Sequence, residues 1–212
     1  MAQLLGFENY AAYSLASKMA PNVQTVFDFL NELAEHARTP ALQEITELKA
    51  IAAQDGIDEL QPWDSSFYSE KLKQQQFNLS QEALKPYFPA PKVVQGLFEI
   101  VHRLYGIQIQ ERAAPVWQPD VRYFEIEDQG QVLGGFYLDL YARHGKRGGA
   151  WMSGFRSRMQ TALSLQKPIC YMVCNFTPPV GDQPALLTHD EVTTLFHEFG
   201  HGLHHMLTEV DN

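Results

Sequence analysis

Cysteine is almost absent: the 212 residues hold only Cys170 and Cys174. In "PICYMVCNF" a strand would point both thiols to one face but leave them roughly 13 Å apart, at about 3.3 Å per residue. A disulfide cannot close over that distance, so they read as reduced core residues of an apolar segment. Positive charge is also scarce, with 16 Lys and Arg against 25 Asp and Glu and a formal charge of −9. A negative surface repels phosphate backbones, and no dense Lys/Arg cluster overrides it, which argues against nucleic acid as a partner. No apolar run approaches the length of a bilayer span, so no membrane partner is expected. "MAQLLGFENY" lacks the basic start and apolar run of a secretory signal. The expected compartment is the cytoplasm.

What is present suits a folded chain. Hydrophobic residues make up 45% and aromatics 12%, enough for a sizeable core. The first half has helical texture. "LGFENYAAYSLASKMA" runs to Pro21, and "VQTVFDFLNELAEHA" places Val23, Val26, Phe27, Leu30 and Leu33 at helical spacing, a stripe expected to be core. Thr39-Pro40 reads as a kink or as a fresh start capped by Thr39, and "ALQEITELKAIAAQ" carries the pattern towards Gly56. Further helices are predicted after Trp63-Asp64, briefly after Ser80, and over "KVVQGLFEIVHRLYG", where Gly106 is the stop. His102 within that last segment reads as a hydrogen-bonded helix residue.

After Gly106 the texture changes to alternation. "IQIQE", "VRYFEIED", "QVLGGFYLDLYA" and "KPICYMVCNF" are predicted strands, with a turn at Asp128-Gln129-Gly130, and "ALL" at 185–187 is a candidate short strand. These readings divide the chain into a helical part, 1–106, and a mixed α/β part, 107–212.

The chemistry concentrates in "TLFHEFGHGLHHML". Thr188 with Glu191 forms a capping box that starts a helix. On it His197 and His201 are four residues apart, about 40° around the axis and roughly 6 Å along it, so two imidazoles can reach one tetrahedral ion. Glu198 follows His197 and flanks the ion instead of binding it. His-Glu-x-x-His is the pattern in which the glutamate is general base towards water activated at a zinc ion, which indicates amide hydrolysis. His204 and His205 read as supporting or surface residues, and His189 lies too far back. Catalytic zinc takes a third protein ligand. Glu209, about 12 Å further along the axis, cannot supply it.

Five stretches together carry a resemblance: "FHEFGHGLHH", "LGFENYAAYSLASKMA", "PWDSSFYSEKL", "YFPAPKVVQGLFEIV" and "GGFYLDLYARHGKRGGAW". The chain resembles the thimet oligopeptidase family of zinc metallopeptidases from about residue 4 onwards. The resemblance implies a mainly α fold with a small β-sheet, a zincin-like catalytic-domain fragment with the His-Glu-x-x-His helix at its C-terminal end. It implies short peptides as substrates, His197 and His201 as zinc ligands, Glu198 as catalytic base, and the hairpin Gln131 to Tyr141 as the sheet beside the zinc helix. Family members are several times longer, so the chain is expected to be a middle piece cut at both ends. The third zinc ligand is then a glutamate beyond Asn212, and the remaining parts of the parent protein are expected partners. A second reading treats the chain by itself as a silent binding or structural module.

Overall fold

The computed structural model describes residues 1–78 and 80–210. Its contacts divide the chain into two compact units, Met1–Asn78 and Leu79–Asn212. The change in texture at residue 106 is therefore not where the contacts part.

In the first unit, side-chain caps set the helix starts. Asn9 accepts from the Ala12 amide to open α1 (Tyr10–Leu15), and Asn22 accepts from Thr25 to open α2 (Val23–Gln54). α2 runs unbroken through Pro40, so Thr39 caps nothing. Pro40 lacks the amide that would bond the carbonyl of His36, and one lost rung does not end a helix this long. Near its C-terminal end Ile51 and Ala52 pack with Tyr68 of α3 (Ser65–Phe77), flanked by Leu48, Leu60 and Leu72. The stripe expected to be core is not buried in this unit, since Phe27, Leu30 and Leu33 are 56%, 52% and 50% exposed. Among the described residues the short α1 lies alongside that end of α2. Helical periodicity marks an apolar face without saying what covers it.

The second unit opens with one turn, α4 (Gln81–Leu84), capped by the Ser80 hydroxyl. α5 (Ala90–Tyr105) ends at Gly106, which adopts φ 75°, a left-handed stop that glycine takes without steric cost. His102 bonds the Ile107 carbonyl through Nδ1 at 3.0 Å. Five strands follow in one sheet: β1 (Gln108–Arg112), β2 (Arg122–Asp128), β3 (Gln131–Tyr141), β4 (Trp151–Arg156) and, after a small hairpin of β5 (Met159–Gln160) and β6 (Leu165–Gln166), β7 (Ile169–Phe176). The order is β1-β2-β3-β7-β4, with β3 and β7 parallel and the other pairs antiparallel. "ALL" at 185–187 forms no strand; Leu186 makes only an isolated bridge to Pro89. β4 is an edge strand that sequence patterning did not predict.

α6 (His189–Met206) and α5 cover one face of this sheet. Phe124, Phe136, Leu138, Cys170, Met172 and Cys174 point to that face and pack with Val94, Leu97 and Val101 of α5 and Leu195, Phe199 and Met206 of α6. Phe136 stacks on Phe124 at 5.1 Å and meets Phe199 edge-on at 5.4 Å. Burying this much aromatic and aliphatic area is the main term holding the helix to the sheet. Cys170 and Cys174 are free and buried, and burial pushes both thiols up to about 12, with the Glu198 carboxylate adding to the effect at Cys174. They are inert core residues.

Across the sheet, a buried polar cluster fixes the loop between β3 and β4. Arg143 donates to both Asp139 oxygens at 2.7 and 2.9 Å, and Trp117 Nε1 donates to Oδ2 at 3.1 Å. Lys146 Nζ donates to Asp139 Oδ1 at 2.8 Å and to the carbonyls of Asp139, Tyr141 and Cys174. Among the described residues no helix is long and apolar enough to cross a membrane.

Candidate metal centre

α6 begins as its sequence demands. The Thr188 hydroxyl accepts from the Glu191 amide at 3.1 Å, and the Glu191 carboxylate accepts from the Thr188 amide at 2.8 Å. Asp190 and Glu191 in the first turn favour the positive helix end. The helix lies close on the sheet because residue 202 is glycine: a Cβ there would sit 3.2 Å from Met172 Sδ and 3.6 Å from Cys170 Sγ.

With Leu195, Phe199 and Met206 turned inward, His197 and His201 face outward and are exposed. Their Nε2 atoms are 3.1 Å apart and their rings stand at 86° with centroids 4.8 Å apart. A tetrahedral ion about 2.0–2.1 Å from each nitrogen would set the two about 3.3 Å apart. The pair therefore fits two corners of such a site with a shift of a few tenths of an ångström. With no ion, the same separation suits an N–H of one ring donating to the bare nitrogen of the other.

Glu198 is 9% exposed and lies on the flank of this pair towards β7. The helix thus sorts its polar residues into an outward imidazole pair and a sheltered carboxylate next to it. Among the described residues no group of three or more His, Cys, Asp or Glu side chains could hold a metal ion. Glu209 lies past the end of α6 and is exposed.

The other histidines separate clearly. His204 is exposed, and His189 packs against the Phe88 ring at 6.2 Å. His205 donates from Nε2 to the Arg156 carbonyl of β4 at 2.9 Å. Its place four residues after His201 was visible in the sequence, but the strand it meets was not.

An outward imidazole pair beside a sheltered glutamate, on a helix that lies over β7 and β4 of a mixed sheet, is suited to metal-dependent hydrolysis. Comparison with known proteins narrows this. The profile of peptidase family M3 matches residues 1–212, and the chain belongs to that family. It is 59% identical to oligopeptidase A of Escherichia coli (strain K12) over 100% of this chain and 32% of that protein. It is 44% identical to the probable cytosolic oligopeptidase A of Arabidopsis thaliana, over 99% of this chain and 31% of that protein. Dipeptidyl carboxypeptidase of Escherichia coli (strain K12) is 43% identical over 96% of this chain and 30% of its own length. The chain spans about a third of the length of these relatives.

Proposed function

We propose that this chain carries the ion-holding helix and the general base of a zinc-dependent oligopeptidase acting on short peptides in the cytoplasm. The observation that carries the reading is the convergence of His197 Nε2 and His201 Nε2 to 3.1 Å on the outer face of α6, with Glu198 sheltered beside them. Bound zinc would supply a Lewis acid that polarises the scissile carbonyl and acidifies a water. His197 and His201 would hold it through Nε2, and a third ligand, a glutamate from outside the described residues, would complete the set.

The chain's own residues then have defined work. Glu198 accepts a proton from the attacking water as its oxygen bonds the carbonyl carbon. The same carboxyl returns the proton to the amine nitrogen as the C–N bond breaks. Its position between the core and the outer face excludes bulk water on one side and leaves the other open to substrate. Among the described residues β4 is bonded only to β7 within the sheet. Its free edge can accept an extended peptide through backbone hydrogen bonds, the general way a strand is added to a sheet.

Two ligands hold zinc less firmly than three. The reading therefore expects this chain alone to bind zinc weakly and to show little cleavage, and expects both to appear when the remaining two thirds of an oligopeptidase is joined to it. In that joined protein Glu198→Gln should keep zinc and lose hydrolysis of a quenched fluorescent peptide by at least about a hundredfold, the contribution of a positioned general base. Zinc retained with full cleavage in Glu198→Gln would sink the reading. Equal zinc content in His197→Ala, His201→Ala and the parent would sink the ligand assignment.

A further inference from the structure

On the helix that carries the imidazole pair, His205 bonds the backbone of a strand. We infer that His205 is a positioning residue: it ties edge strand β4 to α6 and so sets the distance between that strand and the His197/His201 pair. The inference rests on the reading of that pair as ion-holding, and its test separates the two.

Three observations carry it. First, His205 Nε2 lies 2.9 Å from the Arg156 carbonyl. A carbonyl only accepts, so His205 carries its proton on Nε2 and donates it to the strand. Second, the contact falls where the β4–β7 ladder is irregular: Gly154 pairs with Cys170, the register then shifts, and Arg156 pairs with Ile169. An extra residue in a strand bends it and re-aims its groups, and such irregularities recur beside functional sites. Third, the strand is shaped for this ring. A Cβ on Gly154 would come within 3.1 Å of His205 Cε1 and 3.6 Å of both ring nitrogens. The imidazole therefore rests on the bare Cα, and a side chain at 154 would make the ring shift by a few tenths of an ångström, off the line of its bond to Arg156.

Helix geometry converts this contact into positioning. His197, His201 and His205 follow at four-residue intervals, each about 40° further around and about 6 Å further along. One rigid element thus carries both the imidazole pair and the anchor of the strand. β7 pairs with the other side of β4 and cannot by itself fix how far the free edge stands from the helix, because a ladder resists sliding more than hinging. The half-buried side chain of Met152 packs against the core from β4, but dispersion contacts are not directional. The His205 bond supplies the direction.

The test compares His205→Ala, His205→Gln and Gly154→Ala in this chain. Amide hydrogen exchange is resolved by strand, and Cu²⁺ is added as a paramagnetic probe of the His197/His201 pair. Loss of one hydrogen bond predicts that His205→Ala speeds exchange in Trp151–Arg156 about fivefold, with β2 and β3 unchanged. His205→Gln, whose amide reaches a similar distance, should restore parent rates. Gly154→Ala should behave like His205→Ala, and the double substitution should be no worse than either. With Cu²⁺ bound, relaxation of β4 amides should weaken in His205→Ala and recover in His205→Gln. Unchanged β4 exchange in His205→Ala would overturn the anchor, and so would failure of glutamine to rescue. Faster exchange with unchanged Cu²⁺ relaxation would overturn the positioning role. If the parent chain holds no Cu²⁺, the ligand reading falls, while the exchange data still decide whether His205 anchors the strand.

Discussion

Asp139→Asn should be the most damaging single substitution in the polar part of the second unit. The Asp139 side chain is 6% exposed and meets two cations, Arg143 and Lys146, whose side chains are 29% and 5% exposed. Asparagine keeps the shape but removes the charge and leaves the Lys146 ammonium buried. Breaking one side of a buried pair costs about 3–5 kcal/mol. Three backbone carbonyls still receive Lys146 and Arg143 can turn to water, so the lower end, about 3 kcal/mol, applies. At about 1–3 kcal/mol per molar urea, the midpoint should fall by about 1–3 M. The chain has two units, so the probe must report the second: in a Trp63→Phe background, the fluorescence of Trp117 and Trp151 does so. Burial pushes the Asp139 carboxyl up, but hydrogen bonds from Arg143, Lys146 and Trp117 outweigh it and hold it below the ordinary range. A folded value below the unfolded one means the stabilisation is complete above the unfolded carboxyl value of about 3.9. It declines as pH falls below that and is gone once pH has passed the folded value. The gap between parent and variant should therefore be constant from pH 7 to 5 and shrink towards pH 3. A midpoint change under about 0.3 M, or a gap that does not shrink in acid, would refute the assignment of the cluster as a charged keystone.

Other substitutions test the helix and the core. Gly200→Ala meets nothing within 4 Å and should stabilise α6 by up to about 1 kcal/mol through helix propensity. Gly202→Ala, aimed at Met172 Sδ at 3.2 Å, should instead destabilise by about 1–2 kcal/mol as the thioether is displaced; urea midpoints of the two variants with opposite signs are the check. Thr188→Ala removes the hydroxyl that caps α6 and should cost about 1 kcal/mol, seen as faster amide exchange confined to the first turn. Cys170 and Cys174, pushed up to about 12, should resist a thiol reagent in the native chain at pH 8 and react together on unfolding. A thiol that reacts at once in the folded chain would contradict their burial.

The helix ends were legible in the sequence because their determinants are local. Ser80 beside an orphan amide, the Thr188–Glu191 pair, and glycine at position 106 each act within one turn. The imidazole pair was legible for the same reason: four-residue spacing on a helix fixes two side chains without help from the rest of the fold. What failed was set by distant contacts. α5 has the same helical texture as α2, yet its apolar face lies on Phe124 and Phe136 of the sheet, which moves the division of the chain from residue 106 to residue 78. Phe27, Leu30 and Leu33 carry the periodicity of a core face and lie half exposed. Strand β4 is the most instructive miss. "WMSGFR" holds a glycine and a serine and is exposed over its last four residues, so it shows none of the in–out alternation that betrays a half-buried strand. That texture is what an edge strand next to a site requires. Its outer edge has no strand partner among the described residues, and its glycine admits the ring of His205. The features that hide β4 from a sequence pattern are the ones that let the ring of His205 reach it from α6.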